Sequence, residues 1–264
     1  MQEKCLSILY EFDRICIDNN IKYYIIAGTA LGAVRHGGFI PWDDDIDVAV
    51  PRRDYERLLL LKDKFPLPYK LESYEKGSSF IYPFIKIYDT STKVIEPLSR
   101  PFSCGVWIDV FPLDGTFEDH FPRCLHLFTI KVLKTLWETK VRAYRKVEKF
   151  SLKSIIRLLI SLFVLLVPAH VISNFLRKTM TLVQFENSKF GGMLLSSLGL
   201  KQIVPTEYYS GPDRLVGFCE QVFHAPSNLE AYLTVLYGEY MIPPPIHDRR
   251  AHELIVIDLG NIKE

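Results

Sequence analysis

The chain is 264 residues long, 48% apolar and 24% charged, with a formal net charge of +1. This composition excludes a disordered chain, a collagen-like fibre and a coiled coil, and the length suffices to bury a full core without disulfide or metal staples. The near-neutral balance argues against a dedicated nucleic-acid binder, whose phosphate contacts demand a basic excess.

The amino-terminal Met1-Gln2-Glu3-Lys4 lacks the basic-then-apolar pattern of a signal peptide, which predicts a protein on the cytoplasmic side. Cys5, Ile8, Leu9, Phe12, Ile15 and Cys16 recur at helical spacing, with Asn19-Asn20 as a stop. Residues 21–27 (IKYYIIA) are β-branched and aromatic and predict a buried strand. Gly28-Thr29 opens a short helix through Val34, and His36-Gly37-Gly38 leads to Pro41-Trp42. Residues 43–50 alternate acidic and apolar side chains, as in a strand with one polar face. Residues 52–65 predict a helix buried through Tyr55, Leu58, Leu59 and Leu61, and residues 69–74, 80–88 and 105–111 predict three more strands. From Phe121 the pattern turns helical, with one further strand at 254–259. The sequence thus predicts an α+β chain, with a mixed sheet and flanking helices over 1–120 and a mainly helical part over 121–264. The five cysteines (Cys5, Cys16, Cys104, Cys124, Cys219) form no C-x-x-C pair and sit among apolar neighbours, which predicts reduced, buried thiols.

Residues 131–157 carry nine Lys or Arg against Glu138 and Glu148, and residues 158–167 are apolar except for Ser161. Ten helical residues span about 15 Å, half a bilayer core, so this run does not cross a membrane. It reads either as a core helix beside a solvated basic face or as an amphipathic surface resting on an anionic inner leaflet.

The chemistry concentrates in Trp42-Asp43-Asp44-Asp45-Ile46-Asp47-Val48. In a strand, Asp45 and Asp47 share a face about 6–7 Å apart. At that range two carboxylates repel by about 2–3 kcal/mol at an effective dielectric of about 20, which calls for a cation. Hard oxygen donors select Mg²⁺ or Mn²⁺, and a third carboxylate lets two ions clamp the attacking and leaving oxygens. Asp109, a lone acid in the apolar run Trp107-Ile108-Asp109-Val110-Phe111, is the candidate; Asp114 reads as a turn residue. Gly28-Thr29 supplies backbone N–H groups at a helix start, where phosphate binds, with the Thr29 hydroxyl as a further donor. Arg35 and His36 lie in the following loop, where a guanidinium could grip a diphosphate.

The segment Gly28-Thr29-Ala30-Leu31-Gly32-Ala33-Val34-Arg35-His36-Gly37-Gly38-Phe39-Ile40-Pro41-Trp42-Asp43-Asp44-Asp45-Ile46-Asp47 resembles the core motif of the LicD family of bacterial phosphocholine transferases, shared with the fukutin-type ribitol-phosphate transferases. Further similar segments follow in order: Phe84-Ile85-Lys86-Ile87-Tyr88-Asp89, then Ile108-Asp109-Val110-Phe111-Pro112-Leu113-Asp114, then Tyr237-Gly238-Glu239-Tyr240-Met241, where the family more often has Asp at the place of Glu239. The resemblance implies a nucleotidyltransferase-type fold, with Gly28-Thr29 as the phosphate turn and Asp45, Asp47 and Asp109 holding Mg²⁺ or Mn²⁺; Asp43 is left as a neighbour of that set. It implies transfer of phosphocholine from CDP-choline to a hydroxyl of a teichoic acid, lipopolysaccharide or other surface glycan, with release of CMP. Two ions would neutralise the diphosphate and Asp109 would take the hydroxyl proton. Lys86 would stabilise the leaving CMP, or lie on the surface. Trp42 and Trp107 are candidate faces for the choline cation, or core aromatics. His247, Arg249, Arg250 and His252 offer a second phosphate contact or a solvated loop. CDP-ribitol or CDP-glycerol as donor, a D-x-D glycosyltransferase, and a non-catalytic glycan- or membrane-binding module are the competing readings. The acceptor is expected to be lipid-linked, and the protein cytoplasmic and peripheral on the inner face of the plasma membrane.

Overall fold

The structure is a computed structural model and describes residues 1–75, 80–96, 102–142, 164, 166–196, 199–249 and 255–260. Helix α1 (Gln2–Asp18) buries Cys5, Ile8, Leu9, Phe12, Ile15 and Cys16, the stripe its spacing predicts. Strand β1 is short (Tyr24–Ile25), because helix α2 (Ala27–His36) starts at once and ends on the left-handed Gly37. Strand β2 (Asp47–Pro51) runs directly into helix α3 (Arg52–Leu60), followed by a short 3₁₀ turn at Lys62–Lys64. Strands β3 (Tyr69–Glu72), β4 (Ile85–Glu96) and β5 (Phe102–Thr116) complete the first half.

These strands join in the order β1-β2-β5-β4, with β3 also on β4 and strand β10 (Ile255–Asp258) on the far edge of β4. The β2–β5 pair is parallel and β4–β5 antiparallel. In that register Asp47 lies opposite Asp109, and Asp109 opposite Lys86. Neighbouring residues at one level of a sheet point to the same face, so three strands lay Asp47, Asp109 and Lys86 in one row.

The expected strand over 43–50 begins only at Asp47: the Ile46 carbonyl still accepts the Asp109 N–H at 2.9 Å, and the registered pairs with β1 and β5 start beyond it. Asp43 and Asp44 stay in a loop held from below by α1: Gln2 Nε2 donates to the Asp43 carbonyl at 2.7 Å, and Cys5 Sγ lies 3.6 Å from the Asp44 carbonyl.

The second half departs from the helical expectation. Helices α4 (His120–Arg142), α5 (Ala169–Met180) and α6 (Leu229–Tyr237) are present. Between α5 and α6, however, strands β6 (Phe190–Gly192) and β7 (Ile203–Pro205) extend the sheet from β5, and β8 (Arg214–Phe218) and β9 (Gln221–Ala225) form a hairpin. Two features hide these strands in the sequence. β6 and β7 are three residues each, and the β8–β9 turn puts Cys219 at φ 56° where Asn or Gly would signal it. The main hydrophobic core draws on both halves, from Ile8 and Phe12 through Val48 and Val110 to Phe223, Tyr232 and Leu236.

Two single-residue expectations also change. Asp114 is no turn residue: it lies in β5, 1% exposed, in a bidentate pair with Arg52. Cys5 and Cys16 are buried as expected, but Cys124 and Cys219 are exposed and Cys104 is half-buried. Most of the basic and apolar run at 131–167 lies outside the described residues, and so do Arg250 and His252. Among the described residues no helix is long and apolar enough to cross a membrane.

Candidate active site

A cleft of about 520 Å³ opens over the Asp47–Asp109–Lys86 row. Its floor and rim include Gly28, Asp43, Asp44, Asp45, Asp47 and Asp109, so strand pairing and the α1-held loop bring all the sequence-predicted acids together. Burial, then the charges of Asp45, Asp109 and Asp43, push the Asp47 carboxyl well above the ordinary carboxylate value, and Lys86 opposes them. The cleft lining carries Asp43, Asp44, Asp45, Asp47 and Asp109 beside Lys86 and Lys134, and such hard oxygen donors fit Mg²⁺ or Mn²⁺. Among the described residues no three Asp, Glu, His or Cys side chains are placed to hold a metal by themselves.

The start of α2 faces the same cleft. A Cβ on Gly28 would stand 2.7 Å from Asp43 Oδ2, so any larger residue here obliges the Asp43 carboxylate to move. Ala27 just before it adopts φ 48°, and its N–H donates to Tyr232 Oη on α6 at 3.2 Å. Thr29 turns inward instead of toward ligand: it is buried, and its Oγ1 accepts the Asp47 N–H at 2.8 Å, fixing where β2 begins. Its role is to position Asp47.

Lys86 is not a surface lysine. It is 2% exposed, and its Nζ lies 2.7 Å from Asp109 Oδ1 and 3.9 Å from Glu96 Oε1. The Trp107 and Tyr82 rings flank the ammonium at 4.1 and 4.3 Å. Trp107 therefore lines the cleft with one face already turned to a cation of its own chain.

Arg35, His36 and Trp42 form a separate cluster outside the cleft lining. Arg35 Nη1 donates to the Tyr240 carbonyl at 2.9 Å, the His36 ring meets the Trp42 edge, and Arg249 lies 4.3 Å over the Trp42 ring. Desolvation, then Arg35 and Arg249, lower the His36 imidazole's proton affinity. Arg249 is thus a packed residue, while His247 is exposed.

Residues the sequence does not single out complete the wall: Tyr82, Phe84, Glu96, Phe111, Lys134, Trp137, Gln202 and Tyr237. The signal for Tyr237 was at hand, since it opens the Tyr237-Gly238-Glu239-Tyr240-Met241 segment. Phe84 and Phe111 also lie in the similar segments, while Glu96 comes with β4, Lys134 and Trp137 with α4, and Gln202 with the turn before β7.

Residues 20–86 match the family model described as LicD/FKTN/FKRP, nucleotidyltransferase domain. The chain is also 28% identical over 261 residues to the lipopolysaccharide cholinephosphotransferase LicD of Haemophilus influenzae, covering 95% of this chain and 93% of that protein. The chain is thus similar to the LicD family over these residues. Shorter similarities reach uncharacterized proteins of Rickettsia prowazekii (47% over 78 residues, 28% of this chain and 29% of that one) and Rickettsia typhi (45% over 56 residues, 20% and 18%). The LicD match spans the α2 turn, the acidic loop, β2 and Lys86, while Asp109 and the C-terminal wall lie beyond it.

Proposed function

We propose that this chain is a metal-dependent phosphotransferase that moves phosphocholine from CDP-choline to a hydroxyl of a cell-surface glycan, releasing CMP. The observation that carries the reading is the convergence of Gly28, Asp43, Asp45, Asp47 and Asp109 in one cleft. Similarity to a lipopolysaccharide cholinephosphotransferase over nearly the whole chain supports the choice of group transferred. The cleft's aromatic wall of Tyr82, Phe84, Phe111 and Trp137 supports a quaternary ammonium, which is drawn to ring faces.

Asp45 and Asp47 would hold Mg²⁺ or Mn²⁺, which supplies positive charge against the diphosphate. The backbone at Gly28, in the first turn of α2, offers N–H groups to a phosphate oxygen. Asp109 accepts the proton of the glycan hydroxyl as its oxygen attacks the choline-bearing phosphorus. The new P–O bond forms while the bond to CMP breaks, and CMP leaves with the electron pair. Lys86, hydrogen-bonded to Asp109, steadies that carboxylate and adds charge where CMP departs. On α4, the exposed Phe121, Leu125, Phe128 and Val132 face away from the cleft-lining Lys134 and Trp137. With Lys131 beside them, they suit an anionic inner-leaflet surface that presents a lipid-linked acceptor.

The test is donor choice. Incubation with CDP-choline, CDP-ribitol and CDP-glycerol in turn, with Mg²⁺ and a glycan acceptor, should release CMP from CDP-choline. Release from CDP-ribitol or CDP-glycerol alone would keep the transfer chemistry and overturn choline.

A further inference from the structure

Gln202 lines the cleft from the turn before β7 and is 1% exposed. Both its amide atoms, Nε2 and Oε1, are shut off from water and hydrogen-bonded to nothing among the described residues. A buried side-chain amide normally has partners, because an unmet donor and acceptor cost free energy that folding does not recover. The surrounding fold holds the residue in place nonetheless. β6 pairs with β7 so that Gly192 lies opposite Ile203, which sets Met193 beside Gln202, and both line the cleft. Gly192 permits the close approach, since a Cβ there would collide with the Gln202 carbonyl oxygen. Lys134 Nζ, on α4, donates to the Leu195 carbonyl at 2.6 Å and ties the same wall to that helix.

An amide left unmet in a cleft wall is answered by what binds in the cleft. Glutamine carries an N–H donor and a carbonyl acceptor side by side, the pattern that meets a base edge with an amino group next to a ring nitrogen. Cytosine has that edge: its N4 amino group donates to Oε1 while N3 accepts from Nε2. The neighbours suit a flat ring. Met193 and Leu195, each 4% exposed, line the cleft with Gln202. A base face packs on such side chains, where a sugar would turn hydroxyls toward apolar carbon. Glutamine's terminal torsion is broad, so the amide turns to a ligand without moving the backbone.

We propose that Gln202 reads the cytosine of the donor nucleotide, with Met193 and Leu195 as the apolar bed of the base. The inference rests on the phosphotransferase reading for the identity of the nucleotide. It gives the wall after β6 a task that the acidic cluster does not perform: holding the half of the donor that leaves as CMP.

The experiment titrates CMP into the full chain with Mg²⁺ by calorimetry, for wild type and Gln202→Met. Both are titrated again with the 5′-monophosphate of pyrimidin-2-one riboside, which lacks the N4 amino group. Wild type is expected to bind CMP about tenfold or more tightly than the analogue, and Gln202→Met to bind both weakly and alike. Without ligand, the variant's thermal midpoint is expected to hold or rise, since an apolar side chain of like length removes the unmet amide. Equal wild-type affinity for the two nucleotides, no CMP binding at all, or a variant that still prefers CMP overturns the proposal. So does a lowered midpoint with unchanged nucleotide affinities, which marks a structural amide. An unchanged CMP affinity with a raised KM for the glycan acceptor overturns it too, and assigns the amide to the acceptor. Should Gln202→Met fail to fold by circular dichroism, the wild-type comparison decides. CMP release from CDP-choline by the same samples separates the two readings. Release alongside equal affinities overturns the Gln202 proposal alone. CMP binding that depends on Gln202, without release from any CDP-alcohol, overturns the phosphotransferase reading alone.

Discussion

Asp114 is 1% exposed and meets the Arg52 guanidinium through hydrogen bonds of 2.5 and 2.7 Å. Burial raises the carboxyl's proton affinity while Arg52 lowers it, so the pair is held by geometry against a large desolvation cost. Arg52→Ala leaves that carboxylate without its cation and should cost about 3–5 kcal/mol of stability. Denaturant unfolding checks this, and a loss under about 1 kcal/mol would mean that water reaches Asp114. Such partners are hard to find in sequence because they are distant: Arg52 and Asp114 lie 62 residues apart, Lys86 and Asp109 23. The acids at 43–47 were legible for the opposite reason, since their crowding within five positions is itself the signal. Thr29 was legible as a member of the turn but not in its role, because only the fold shows its hydroxyl holding the Asp47 N–H.

At the scale of elements, α2 separates two glycines by what their absent Cβ would strike. At Gly32 it would lie 2.4 Å from the Gly38 carbonyl, which is backbone and cannot turn aside. Gly32→Ala should therefore destabilise the protein, by about 1–3 kcal/mol, despite alanine's better helix propensity. At Gly28 the obstacle is the Asp43 carboxylate, which can rotate. Gly28→Ala should leave the thermal midpoint nearly unchanged and lower CMP release by about 10²-fold, by displacing the acidic loop from the phosphate turn. Equal loss of stability in both variants would show that the loop is rigid. Helix α1 was readable because its apolar periodicity extends over many residues, whereas the runs at 80–88 and 105–111 located β4 and β5 without their extents, Ile85–Glu96 and Phe102–Thr116. β2 proved shorter than its alternating pattern, because a strand extends only as far as its neighbours pair with it. The β8–β9 hairpin was missed because Cys219-Glu220 gives no turn signal.

Across the whole molecule, the C-terminal elements close the cleft that the first 116 residues build. Tyr232 holds Ala27, Tyr237 lines the wall, and the Tyr240 carbonyl takes Arg35. Helix α4 contributes Lys134 and Trp137 inward and Phe121, Leu125, Phe128 and Val132 outward. If the outer stripe meets lipid, the protein should float with vesicles containing anionic phospholipid and remain behind with neutral ones. Phe121→Ser combined with Phe128→Ser should abolish flotation without changing CMP release from a soluble acceptor, and flotation that survives both changes removes this face from the account.

The claim on which the rest depends is that the acidic cluster performs the transfer. The direct measurement is CMP release from CDP-choline in the presence of Mg²⁺ and a glycan acceptor, for wild type and Asp47→Asn matched for folding by circular dichroism. Wild type is expected to release CMP, to lose that release on chelation, and to exceed the variant by on the order of 10²-fold or more. Release that survives both chelation and Asp47→Asn would place the chemistry elsewhere in the chain.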